Sequence, residues 1–172
     1  MTGAGEASRW LRDAEACLVS ARRALAAQDF RVVVQNAQLC IEHSAKAIIA
    51  ELAEPVWRHD PSPQLRRLLV ANEEAIVQRC SADMPASLRQ LAQDAEKAAP
   101  WHGWSTYGRE TENQGWLAAV DLCNKDIAED LLHRAQKAWP VAQSFIALWS
   151  KPPSVEEEEP TNAPSPELPP ST

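Results

Sequence analysis

Glycine is scarce in this chain, at five of 172 residues, and so are tyrosine (one) and phenylalanine (two). So little glycine leaves few positions for the left-handed turns of a β-rich fold, whereas the abundant Ala, Leu, Glu, Gln and Arg favour helix. Long apolar runs are missing too. None approaches the roughly 20 residues needed to cross a bilayer, so no membrane association is expected. Residues 1–9 are small and polar and lead into an amphipathic, charged segment, which lacks the pattern of a secretory leader and makes the cytoplasm the expected location. A field of positive charge is absent as well. The net charge is −7, of which the one Lys and five Glu from Lys151 onward contribute −4 and the first 150 residues −3. General DNA or RNA binding through phosphates needs Lys and Arg in excess, and this balance disfavours it.

The four cysteines, Cys17, Cys40, Cys80 and Cys123, form no CxxC pair and have no histidine at ligand spacing. Cys17 and Cys40 fall on apolar helix faces and are read as small hydrophobes. No HExxH or comparable spacing suggests a metal, and no Gly-rich phosphate loop or nucleophile elbow is present. Neither metal nor cofactor is expected.

What is present is helical periodicity. Trp10, Ala14, Cys17, Leu18, Ala21 and Leu25 recur every three or four residues and predict a first helix from about Glu6 to Ala27. After Gln28, Asp29 is placed to cap a second, antiparallel helix, about Phe30 to Ala53. That helix is so broadly apolar that it belongs at the centre of a bundle or in a dimer interface. A proline-punctuated loop follows. Ser62 as N-cap and Pro63 at the first position then predict a third helix to about Arg79. A fourth is expected over about 85–98. Residues 100–110, with proline, two glycines and three aromatics, are not expected to form a regular helix. Gly115–Val120 is compatible with a short helical turn. Asn124 is placed to cap a last helix to about Ser150, which Pro140 should kink or split. Beyond Lys151 the chain is Pro-rich and acidic and reads as disordered. The expected organisation is a flexible start (1–7), an all-α antiparallel up-and-down bundle of four to five helices (8–150) and a disordered tail (151–172).

The run Gln35-Asn36-Ala37-Gln38-Leu39-Cys40-Ile41-Glu42-His43-Ser44-Ala45-Lys46-Ala47 resembles the signature of the HEPN domain family: a Gln/Ala-rich helix leading into Glu, three residues, Lys and Ala. His59-Asp60, Leu65, Leu68 and the last helix's Asp126, Ala128, Glu129 and Ala135 follow in similar order. The resemblance covers about residues 8–150. It implies a helical bundle, frequent homodimers, and often a separate small nucleotidyltransferase partner. Members include RNA-cleaving toxins of toxin–antitoxin type and non-catalytic domains proposed to bind nucleotides. The catalytic members carry an Arg, four to six residues, then a His. None of the four histidines here has an Arg at that distance upstream, and Arg109 is followed at that spacing by Gln114, Gly115 and Trp116. A metal-independent ribonuclease is therefore disfavoured, and no catalytic residue is assigned.

Candidate binding residues remain. Glu42 and Lys46 form an i,i+4 pair worth only ~0.2–0.5 kcal/mol if exposed. A structural ion pair is the favoured reading, with Lys46 facing a phosphate as the functional one. His59-Asp60 reads as loop-closing hydrogen bonding. The segment around His102, Trp104, Tyr107 and Arg109 offers aromatic faces for a base and a cation for a phosphate, although packing or dimer contact is the favoured reading of the tryptophans. The sequence thus points to a non-catalytic, homodimeric binding module that engages a nucleotidyltransferase-type partner or a nucleotide. The alternatives are an RNA-cleaving toxin with a degenerate site of His102, Tyr107 and Arg109, and a plain helical assembly scaffold.

Overall fold

The computed structural model describes residues 3–113 and 115–151. The Pro/Glu-rich tail expected to be disordered lies, beyond Lys151, outside the described residues. The elements are α1 (Gly3–Ala26), α2 (Phe30–Leu52), α3 (Ser62–Ala71), α4 (Glu73–Arg79), α5 (Met84–Ala98), α6 (Trp101–Tyr107), β1 (Arg109–Thr111), β2 (Gly115–Leu117), α7 (Ala119–Leu122) and α8 (Lys125–Trp149). The chain is mostly helical, as its composition implied, and a small antiparallel hairpin interrupts it, with Glu110 opposite Trp116.

The turn between α1 and α2 is fixed locally. Gln28 takes φ 59°, the left-handed conformation usually given to glycine after a helix. The Asp29 amide donates to Ala24 O and the Gln28 amide to Leu25 O, each at 3.0 Å, which closes the end of α1. The Asp29 carboxylate then accepts from the Val32 amide at 3.2 Å and starts α2, the expected cap. The two helices run back along each other so closely that a Cβ at Gly3 would stand 2.7 Å from Ala50 O. Helix α1 thus begins at Gly3, ahead of the expected Glu6. The segment anticipated as a flexible start is helical from Gly3 and buries Ala7.

Helix α2 occupies the centre. Val33, Val34, Ala37, Cys40, Ile41, Ile48 and Ile49 are all fully buried. Helices α1, α3, α5, α6 and α8 pack around it. The apolar breadth that suggested either a core or a dimer face is consumed within one chain.

Other elements depart from expectation as well. The third helix divides at Asn72, whose side-chain amide donates to Leu68 O at 2.8 Å while its backbone leaves helical geometry (φ −119°, ψ 13°). Such local back-bonding by Asn competes with the helix ladder. Ser62 is the first residue of α3 rather than its cap. Its hydroxyl donates to Asp60 Oδ1 at 2.7 Å and its amide donates to the same oxygen at 3.0 Å. Residues 101–107, expected to be irregular, form α6. Pro100 precedes that helix, where its missing N–H costs nothing, and Gly108 (φ 82°) ends it. Residues 115–117, read as compatible with a helical turn, are strand β2 instead. Finally, of the two outcomes expected at Pro140 the split does not occur: α8 is one helix from Lys125 to Trp149, with Leu132, Ala135, Ala138, Ala142 and Phe145 buried on both sides of the proline. Asn124 caps it as expected, accepting from the Ile127 amide at 3.1 Å. Among the described residues no helix is long and apolar enough to cross a membrane.

Candidate functional site

Helix α2 carries a line of polar side chains one turn apart: Gln38, Glu42 and Lys46. All three are buried, which is costly unless each charge is paired and hydrogen-bonded. Here each is. Gln38 Nε2 donates to Glu42 Oε2 at 2.8 Å, and Lys46 Nζ donates to Glu42 Oε1 at 2.7 Å. The Trp10 ring of α1 covers the ammonium, 5.0 Å from its centroid. The same ring lies 5.0 Å from His43 and meets exposed Trp57 edge-on at 6.4 Å. Lys46 is thus held in a nearly buried ion pair with Glu42, the structural role favoured from the sequence.

The α2–α3 loop brings His59 to this pair. Gln64 holds the loop, accepting from the Val56 amide at 3.0 Å and donating to Glu54 O at 2.8 Å. His59 Nδ1 stands 3.4 Å from Glu42 Oε1. Asp60 closes the loop through Ser62, so the carboxylate facing the ring comes from α2 and not from the neighbouring aspartate. On its other side the His59 ring stacks on His102 of α6, with centroids 3.4 Å apart and planes 14° from parallel.

Helix α6 is held in place from α2. Arg31 Nε donates to Ser105 O at 2.8 Å and its Nη2 to Thr106 O at 3.2 Å, while Gln35 Nε2 donates to Ser105 O at 3.1 Å. A cation and an amide at the carbonyl end of a helix satisfy groups that have no partner within it. Between α2 and α6 lies a recess of about 200 Å³ lined by Gln35, Asn36, Gln38, Leu39, His102, Ser105 and Thr106. His102 has its pKa lowered from the usual 6.5, first by burial and then by the neighbouring His59, against the opposing pull of Glu42. His43 is lowered as well, chiefly by burial, and its Nδ1 has no hydrogen-bond partner.

Beyond α6, the Arg109 guanidinium lies over the Trp104 ring at 4.5 Å. Trp104 meets Trp101 edge-on at 5.3 Å, and Trp101 packs against the core. Tyr107 is 75% exposed. The fold therefore gathers Glu42, Lys46, His59 and His102 at one place and pairs Trp104 with Arg109 beside them in sequence. Gln38, Trp10, Arg31 and Gln35 escaped sequence reasoning. Only Gln38 had a visible signal, as the first of three polar residues at four-residue intervals on an otherwise apolar helix.

A central, mostly apolar helix with one buried polar line, set beside a histidine-bearing loop and a short aromatic helix, characterises this helical domain. The HEPN domain family model matches residues 7–143. The chain belongs to the HEPN domain family. Comparison with curated proteins and with solved structures found no match.

Proposed function

We propose that this HEPN domain is a non-catalytic binding module, acting as a homodimer, whose ligand is a nucleotide, either free or presented by a nucleotidyltransferase-type partner. The observation that carries this reading is Arg109. Its guanidinium stacks on Trp104, its Nε has no hydrogen-bond partner, and among the described residues no carboxylate pairs with it. A planar cation laid over an indole is suited to a phosphate on its edge and a base nearby. Tyr107, exposed one turn away, adds a second aromatic face for stacking. Family membership supports a role related to nucleotides or RNA, and the missing Arg–His spacing supports the non-catalytic form. The fully buried apolar face of α2 means that a homodimer would use other surface, such as exposed Trp57 or Trp116.

A second reading is supported by the stacked histidines. His102, its pKa lowered chiefly by burial, and His59, beside the Glu42 carboxylate, resemble an acid–base pair of the kind that cleaves RNA without metal. One pair of experiments separates the two. Titration of the full chain with ATP, followed by calorimetry and tryptophan fluorescence, is expected to show binding that weakens at least tenfold in Arg109→Ala. Labelled RNA is expected to stay intact with the parent and with the Arg109→Ala, His102→Ala double variant. Metal-independent cleavage by the parent alone would replace the binding module with the nuclease. No binding and no cleavage would leave a helical scaffold.

A further inference from the structure

We infer that Glu42, His59 and His102 form a binding site for one divalent transition-metal ion of the zinc class, an inference that does not depend on nucleotide binding. The three come from α2, the α2–α3 loop and α6, and each offers one ligand atom, all within 4.8 Å of one another. Two imidazoles and one carboxylate are the donor set of an open zinc site, with a fourth position left for water or a ligand oxygen. Ligands at about 2.0–2.1 Å from a tetrahedral ion stand roughly 3.4 Å apart. His59 Nδ1 and Glu42 Oε1 are already separated by 3.4 Å; the His59 and His102 rings, stacked nearly parallel, have to turn so that a nitrogen lone pair of each meets the ion.

The surroundings are those of a prepared site. Glu42 is 3% exposed, and its carboxylate is oriented by Gln38 and Lys46 before any ion arrives. Hydrogen bonds donated to a ligating carboxylate in this way fix its direction. Lys46 opposes the ion. Its ammonium already occupies one side of Glu42 Oε1, so affinity is expected to fall below that of a closed four-ligand site. The four cysteines do not enter: none of them belongs to the cluster.

The test uses the full chain without a histidine tag, stripped with a chelator and titrated with zinc by calorimetry and with cobalt by absorption. The expected result is one saturable equivalent per chain, a cobalt d–d spectrum without a thiolate charge-transfer band, and a raised thermal midpoint with zinc. His59→Gln and His102→Gln, made separately on residues that are not fully buried, are each expected to weaken binding at least tenfold while leaving the far-ultraviolet dichroism unchanged. No saturable binding, binding untouched by both variants, or a thiolate band in the cobalt spectrum would each overturn the assignment.

Discussion

Glu42 and Lys46 are joined at 2.7 Å in a setting nearly closed to water, the glutamate 3% and the lysine 5% exposed. On an exposed helix this spacing would add a few tenths of a kcal/mol. Burial changes the arithmetic. The pair offsets a large desolvation cost, and removing one partner leaves the other charged and alone. Glu42→Gln and Lys46→Met are each expected to destabilise the fold by about 3–5 kcal/mol. The double variant should lose less than the sum, because no uncompensated charge remains. Urea unfolding at neutral pH measures all three. Single losses within about 0.5 kcal/mol, as for an ordinary surface change, would show that the pair is solvated.

His102 and His43 make stability depend on pH. Both have folded-state pKa values below the ordinary 6.5, each chiefly through burial. Below 6.5 the unfolded chain takes up protons that the folded chain refuses, so stability rises with pH across this window. It is therefore fully present above about 6.5 and declines as pH falls toward the lowered folded values. The groups facing His102 are His59, Glu42 and Lys46. Those facing His43 are Glu42, Asp13, Lys46 and Arg9. Urea midpoints at several pH values between 7.5 and 5 should fall with acid, and His43→Gln, His102→Gln should flatten the fall. A midpoint independent of pH over that range would contradict both shifts.

The central helix, its cap at Asp29 and the cap at Asn124 were legible because each is a local matter: period, a short polar side chain, and the amides three residues on. The Glu42–Lys46 spacing was equally visible, but its burial was not, since that depends on Trp10 folding over from α1. His59 and His102 were singled out separately, and nothing local says that their rings meet. Their stacking follows from Arg31 and Gln35 anchoring α6 and from Gln64 holding the loop, all of them contacts between distant segments. The misreading of residues 101–107 has a different cause. Pro100 and Gly103 count as breakers in a window, yet proline is harmless at a helix start and a Cβ at Gly103 would meet nothing. The hairpin that follows consists of two three-residue strands, too short to produce an alternating pattern.

Gln28 is a non-glycine residue in left-handed geometry, at φ 59°. The steric cost for an L side chain there is about 1–2 kcal/mol, part of which glycine would return through its greater unfolded freedom. Gln28→Gly is therefore expected to stabilise the protein by up to about 1 kcal/mol, read as an increase in the thermal midpoint. A decrease would mean that the glutamine side chain makes a stabilising contact in the turn.

Gly108 sets the opposite case. It sits at φ 82°, and an added Cβ would fall 2.1 Å from Leu117 O and 3.2 Å from the Trp116 indole nitrogen. Both are groups of β2, so neither a rotamer change nor a small local shift relieves the contact. The strand would have to move away from the end of α6. Arg109 is the next residue, and its placement over Trp104 depends on the hairpin starting where it does. Gly108→Ala is expected to open the β1–β2 pairing, with amide exchange in residues 109–117 rising at least tenfold while α1, α2 and α8 keep their protection. The Arg109–Trp104 contact should go with it, so ATP binding should weaken about as much as in Arg109→Ala. Loss of hairpin protection with ATP binding intact would separate Arg109 from the ligand and move the site back to the histidine cluster.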